Sequence, residues 1–227
     1  MRNAVKIGQK LVATTDNAAG IGEKAQDVVN APDQLTSYLT ARVTFLEQLA
    51  ANAITTHVFL ANFSSEDAWG RYVEGIQKVF DEVGLVRLRV DGSSESNIDT
   101  LQSGLSITML GEIQECTHFE IDELHWYTYG VPLVGIEVVE QSESVAKIQP
   151  IFDAWLQEIV MQVWPVGSNG LQAEFKRLFG DKTVECSLDV DKSAGPSTVI
   201  LLGIHPDKKK EAKQIFTKYF EKIHISQ

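Results

Sequence analysis

The chain has 227 residues, with 31 acidic against 20 basic groups, a formal net charge of −11, and 44% apolar and 22% charged residues. That balance fits a globular protein of one large domain or two ordinary ones, and the negative field argues against broad binding of nucleic acid or an anionic membrane. No apolar run approaches the ~20 residues needed to span a bilayer and no signal-peptide stretch opens the chain, so a cytoplasmic protein is expected. Cys116 and Cys186 are too few for a disulfide framework and read as reduced thiols.

The first pattern is a short apolar strand, Leu11-Val12-Ala13, ending in the carboxylate of Asp16. A flexible Gly20-Ile21-Gly22 turn and the charged pair Glu23-Lys24 follow. Such a strand end offers an oxygen ligand for Mg²⁺, backbone amides that can approach phosphate, and a lysine to neutralise it; a plain surface turn with an exposed lysine is the alternative. The chain contains no GxxxxGK[ST] phosphate loop.

Residues 35–53 place Leu35, Tyr38, Leu39, Val43, Leu46 and Leu49 at helical spacing, with Asp33 as an N-cap after Pro32. A buried strand is expected at His57–Phe63 and a helix from Ala68 to Val83, stopped by Gly84. The spacing then gives strands at 86–90 and 105–113, separated by the polar loop DGSSESN. A polar junction at 115–130 suggests a boundary, taken at 125/126, so that 1–125 and 126–227 form two domains. Beyond it come a helix at 145–160, a loop at 165–170, a helix at 171–179, a strand at 198–204 and an amphipathic C-terminal helix at 207–222. Alternating strands and helices in both halves define the class as α/β or α+β.

Four small-residue loops lie beside apolar runs: residues 16–24, 92–97, 165–170 and 192–197. They suit a phosphate and metal site assembled from several elements, or else ordinary surface turns. Glu47 is a carboxylate in a helix that otherwise looks buried, so it is either partly exposed or a ligand. Cys116, His118, Glu120 and Asp122 alternate as on one face of a strand, with His125 nearby; an exposed polar strand or linker is favoured over a metal cluster. No CxxC, HExxH or GxSxG occurs.

Taken in order, DNAAGIGEKAQDVV, ARVTFLEQLAANA, NFSSEDAW, GSSESNIDTLQSGLSITMLGE, PVGSNGL and KSAGPST resemble the α-ribazole kinases of bacterial cobalamin salvage. These belong to the PurM-like, aminoimidazole ribonucleotide synthetase-related superfamily of ATP-using proteins, and the resemblance runs from about Leu11 to Gly203. It implies two PurM-like α/β domains with mixed sheets flanked by helices. The N-terminal domain would bind ATP and Mg²⁺ and form a homodimer, and the γ-phosphoryl group would pass to the 5′-hydroxyl of α-ribazole, a nucleoside-type acceptor. Carried over by position, the resemblance makes Asp16, Glu47 and Glu95 metal ligands and Lys24 a phosphate contact, with Asp27 a candidate base. Asn17, Gly20, Gly22, Ser93, Asn97, Ser168, Asn169, Lys192 and Ser193 would line the nucleotide or nucleoside. The chain departs from the family at Ser65, before Glu66-Asp67, and at Leu105-Ser106. Two alternatives remain open: a PurM-like enzyme that activates a carbonyl or amide oxygen with ATP, and a nucleoside- or nucleotide-binding protein without turnover.

Overall fold

A computed structural model describes residues 3–226 and divides the chain into two units, Met1–Gln114 and Glu115–Gln227. The division falls ahead of the expected 125/126. The reason is that Phe119 and Leu124 pack into the core of the second unit, and Trp126 Nε1 donates to Ile121 O at 2.9 Å.

In chain order the first unit contains β1 (Val5–Ile7), β2 (Leu11–Ala19), β3 (Ile21–Gly22), β4 (Val29–Asn30), α1 (Asp33–Ala50), β5 (Ala53–Asn62), α2 (Ala68–Glu82), β6 (Val90–Ser94) and β7 (Gly104–Ile113). Its main sheet runs β1-β2-β7-β5-β6, antiparallel except for the parallel pair β5/β6. Val12, Val58, Leu60, Leu105, Ile107 and Met109 are buried on one face by alternation, and α1, with Phe45 and Leu46 buried, packs on β2, β7 and β5. The helix α2 packs alongside α1 and ends as expected, with Gly84 at φ +68°. Strand β6 forms at Val90–Ser94 rather than at 86–90. Gly92 allows this, because a Cβ there would strike the Leu60 carbonyl of β5.

A polar seam joins α1 to the sheet. Thr36, Thr40 and Thr44 each donate to the carbonyl four residues earlier. Thr14 of β2 donates to Thr44 O at 3.0 Å. Gln48, one further turn along, donates through Nε2 to Thr14 Oγ1 at 2.9 Å and to Met109 O at 2.8 Å. Gly111 leaves room for that amide, since a Cβ on it would collide with Gln48 Oε1. The register of α1 on β2 and β7 is therefore set by directional bonds as well as by apolar packing. The opposite face of the sheet leaves Val5, Ile7, Thr15, Asn17 and Phe59 exposed, with no helix of this unit against it among the described residues.

The second unit contains β8 (His125–Gly130), α3 (Glu137–Glu140), α4 (Ile148–Leu156), β9 (Val160–Pro165), α5 (Gly170–Phe179), β10 (Thr183–Glu185), β11 (Val199–Ile204), α6 (Lys209–Ile215), β12 (Phe220–Lys222) and β13 (His224–Ser226). An antiparallel sheet runs β12-β8-β11-β9, and β10 pairs with β13. Trp126, Leu171, Phe175, Val199 and Leu201 lie at the centre of its core. The expected C-terminal helix stops at Ile215. Its aromatic residues are used by β8 instead: Phe220 stacks on Tyr127 at 4.3 Å, and Phe216 lies 4.8 Å from Tyr129.

The seam makes a direct prediction. Gln48→Leu should lower unfolding stability in urea by about 2 kcal/mol, because the Met109 carbonyl and Thr14 hydroxyl lose a buried donor. A variant as stable as the parent would leave apolar contact alone to fix α1.

Candidate functional site

Strand β2 continues through Asp16 and Asn17 to Ala19, so this segment is strand and not the expected turn. Alternation therefore sends the two side chains to opposite faces of the sheet. Asp16 lies on the α1 side, in line with Thr14, and Asn17 on the exposed side. The chain reverses at Gly20, whose φ is +67°. The Gly20 N–H donates to Ser103 O at 2.8 Å, and its carbonyl accepts from the Val28 and Val29 amides. At Gly22 the space a Cβ would need is filled by the Ser103 side chain and by Asp33 Oδ1, 2.9 Å away.

Asp27 fastens this excursion to the β6–β7 connection. Its carboxylate accepts from the Ser103 amide at 2.7 Å, the Ser103 hydroxyl at 2.7 Å and the Lys24 amide at 2.9 Å. Burial raises its pKa, but those bonds and the Lys24 charge outweigh it and hold the carboxyl below its ordinary value. The Lys24 ammonium donates to Thr100 O at 2.6 Å and to Thr100 Oγ1 at 2.7 Å. Gly20 and Lys24 therefore spend their amides inside the protein, contrary to the expectation of amides open to phosphate.

Behind this loop lies an ion cluster. Arg71 donates to Asp33 Oδ2 from Nε at 3.1 Å and from Nη2 at 2.8 Å, and lies 3.4 Å from Glu23. Asp33 is 2% exposed, and its Oδ1, facing Gly22, accepts no hydrogen bond among the described residues. Asp33 opens α1 without capping it. Nearby, Ser64 Oγ and Tyr72 Oη lie 2.6 Å apart, and burial pushes the Tyr72 phenol up to about 12. Ser103, Thr100, Asp33 and Arg71 were missed as site residues. Ser103 stood in a quoted motif, but nothing in sequence tied it to Asp27.

The three expected metal ligands do not converge. Asp16 aligns through Ile107 and Leu60 with Gly92, three strands away, which is about 14 Å at ordinary strand spacing. Glu95 lies just beyond, its carboxylate accepting from the exposed Asn97 amide; Ser93 is also exposed. Glu47 is 2% exposed in α1, one turn past Thr44 and away from Asp16, and accepts from Asn3 Nδ2 at 3.1 Å. Among the described residues no group of three or more His, Cys, Asp or Glu could hold a metal ion, so a three-carboxylate Mg²⁺ site does not fit. The Cys116–Asp122 segment forms no strand, and Asp122 pairs with Lys182.

In the second unit the two small-residue loops do meet. Ala194 N donates to Gly167 O at 3.2 Å and Gln172 N to Val190 O at 2.9 Å. Gly170, at φ +73°, packs so closely that a Cβ would come within 2.7 Å of Val190 O and 2.9 Å of Lys192 O. Ser168 and Asn169 are exposed at the start of α5, and Ser193, on the facing loop, is partly buried. Lys192 is bound by Glu137 at 2.8 and 3.0 Å; that lysine, with the Val134 amide, holds the Glu137 carboxyl below its usual value.

No family model matches the chain, and no curated protein matches it. Solved structures do. Thiamine monophosphate kinase from Aquifex aeolicus superposes with a TM-score of 0.65 at 13% identity, over 100% of this chain and 89% of that one. The hydrogenase maturation protein HypE in complex with ATP gives 0.63 at 12% identity, over 98% and 78%. PurL from T. maritima, complexed with AMPPCP, gives 0.60 at 10% identity, over 99% of this chain and 42% of PurL. The fold is thus the PurM-like α/β fold of these proteins. No helix among the described residues is long and apolar enough to cross a membrane.

Asp27→Asn should lower stability at pH 7 by about 1–2 kcal/mol, since a carboxamide cannot reproduce three charge-assisted bonds. The native carboxyl titrates below its ordinary 3.8, so its stabilisation is complete above that value and is lost as pH falls through the lowered pKa. Urea melts at pH 7 and near pH 2.5 should show the variant and parent converging in acid; a difference unchanged by pH would remove ionised Asp27 as the fastener.

Proposed function

We propose that the chain is an ATP-dependent small-molecule phosphotransferase of the α-ribazole kinase type, phosphorylating the 5′-hydroxyl of a nucleoside-type acceptor in cobalamin nucleotide-loop salvage. The ordered loop motifs support this reading, as does a fold shared with a kinase and with two proteins solved with ATP or AMPPCP. The observation that carries it is the fastened loop at Gly20–Asp27, where Lys24 and Arg71 present cations at one end of the sheet. Around them Val28, Phe63, Ile98 and Leu101 are exposed, providing apolar surface for a base.

Phosphoryl transfer requires alignment and charge neutralisation more than covalent chemistry from the protein. Lys24 would exchange its two Thr100 oxygens for phosphate oxygens, while Asp27 keeps the loop in place. A carboxyl with filled acceptors and a lowered pKa is better suited to that positioning role than to taking a proton. A divalent ion would arrive on the nucleotide phosphates and use Asp16 or Glu95 as a single carboxylate, in keeping with the preference of Mg²⁺ for substrate oxygens and water. The homodimer would form through the sheet face that exposes Val5, Ile7 and Phe59, 40% accessible.

A second reading, nucleotide binding without turnover, draws on the separation of Asp16, Glu47 and Glu95 and on the occupied lysines Lys24 and Lys192. A third, ATP-dependent activation of a carbonyl or amide oxygen, fits the same fold.

ADP release from Mg-ATP with and without α-ribazole, with mass spectrometry of the product, separates these readings. Acceptor-dependent ADP and a product one phosphate heavier are expected, and Asp16→Asn should lower turnover ~100-fold or more while the variant stays folded. Thermal stabilisation by ATP without ADP under any acceptor would establish the binding-only reading. Undiminished activity in Asp16→Asn would remove that residue from the mechanism.

A further inference from the structure

Behind the Gly20–Asp27 loop the phenol of Tyr72, in α2, is 0% exposed. Its oxygen lies 2.6 Å from Ser64 Oγ and also bonds the Ser103 hydroxyl. Ser64 and Ser103 are themselves buried, so bulk water does not compete for these contacts. Asn62 fixes Ser64 in turn: its Oδ1 accepts from the Ser64 amide at 2.9 Å, and its Nδ2 donates to Ser65 O at 2.7 Å.

The protons of this group can be assigned by count. Ionised Asp27 only accepts, so the Ser103 hydroxyl, 2.7 Å from Oδ2, donates to it. The Ser103 oxygen is then left to accept, and Tyr72 is its donor. Burial pushes the phenol up to about 12 and keeps it protonated at neutral pH. With that one proton spent, the Tyr72 oxygen accepts from the Ser64 hydroxyl, and Ser64 accepts from the Gly104 amide at 3.0 Å. Every donor therefore points the same way, from Gly104 N–H through Ser64, Tyr72 and Ser103 to the Asp27 carboxylate. A chain polarised in one direction strengthens each of its bonds. The Ser103 amide, next to Gly104, closes it by donating to Asp27 Oδ1 at 2.7 Å.

We propose that Tyr72 is the positioning residue of the loop that carries Lys24: its hydroxyl directs the Ser103 proton at Asp27 and so couples α2 to the clasp formed by Lys24, Asp27 and Ser103. The assignment rests on these bonds and holds whichever reaction the loop serves.

The test uses the full chain labelled for NMR. It reads the Asp27 side-chain carboxyl carbon through an acid titration, and the exchange of the Lys24 and Ser103 amides, both donors to Asp27. Tyr72→Phe keeps the ring and removes the hydroxyl. The Asp27 midpoint should rise by ~0.3 or more toward the ordinary 3.8, and both amides should exchange ~10-fold faster. Ser64→Ala, which cuts the chain one hydroxyl earlier, should move the same signals in the same direction. The charged groups around the chain are Lys24 and Glu23 of the loop, Asp33 of α1 and Arg71 of α2, and both variants leave them in place. Tyr38→Phe is the control: it removes another phenol between α1 and α2, one that donates to Glu82 at 2.7 Å, and should move none of these signals. An Asp27 midpoint unchanged in both Tyr72→Phe and Ser64→Ala, or shifted equally by Tyr38→Phe, would overturn the assignment.

Discussion

The carboxylate of Asp27 is the interaction on which the arrangement of the first unit's loops depends. The excursion from Gly20 to Asn30 buries little apolar surface, since Val28 is 83% and Val29 41% exposed. Fixing each backbone residue costs roughly 1–2 kcal/mol of conformational entropy, and hydrophobic burial offsets little of that here. Directional bonds must therefore hold it. Asp27 collects three donors, two of them from Ser103, and so joins two connections 76 residues apart in sequence. Gly22 depends on this closure, because its contact with Ser103 and Asp33 leaves no room for a side chain.

The cations beside the small-residue loops, and Lys182, are committed to local partners. Lys24 binds Thr100, Lys192 binds Glu137, Lys182 binds Asp122, and Arg71 binds Asp33 and Glu23. At these four positions carboxylates and carbonyls already hold the cation, and a phosphate ligand must compete with them. This exchange keeps net binding well below the gross Coulomb energy.

Much of the fold was legible where one face of an element is buried. Helix α2 with its Gly84 stop, strand β7 and helix α5 follow the expected periods closely, because burial enforces them. Asp16, Asn17, Ala18 and Ala19 have the composition of a turn, yet pairing along β7 carries strand β2 through them. The C-terminal aromatics fit a helical period, yet Tyr127 and Tyr129 of β8 recruit them across about 90 residues, a tertiary effect that local propensity cannot contain. The candidate site divides similarly. The Gly20–Lys24 and Gly167–Ala194 loops were visible as small-residue stretches. Ser103, Thr100 and Arg71 were not, because their significance lies in partners brought together only by folding. Glu47 stands out as an odd buried carboxylate and is buried, and its side chain accepts from Asn3.

The order of strands also sets a schedule for synthesis. Every strand of the first unit's main sheet lies before residue 114, whereas in the second unit β8 is sandwiched between β11 and β12, whose residues end at 222. At ordinary translation speeds the first sheet can close on the order of ten seconds before the second has all its strands outside the ribosome. During that interval the Trp-Tyr-Thr-Tyr edge of β8 is an unpaired, aromatic strand, open to any other chain emerging nearby. Crowding of nascent chains would then favour mispairing at this edge until β11 and β12 arrive.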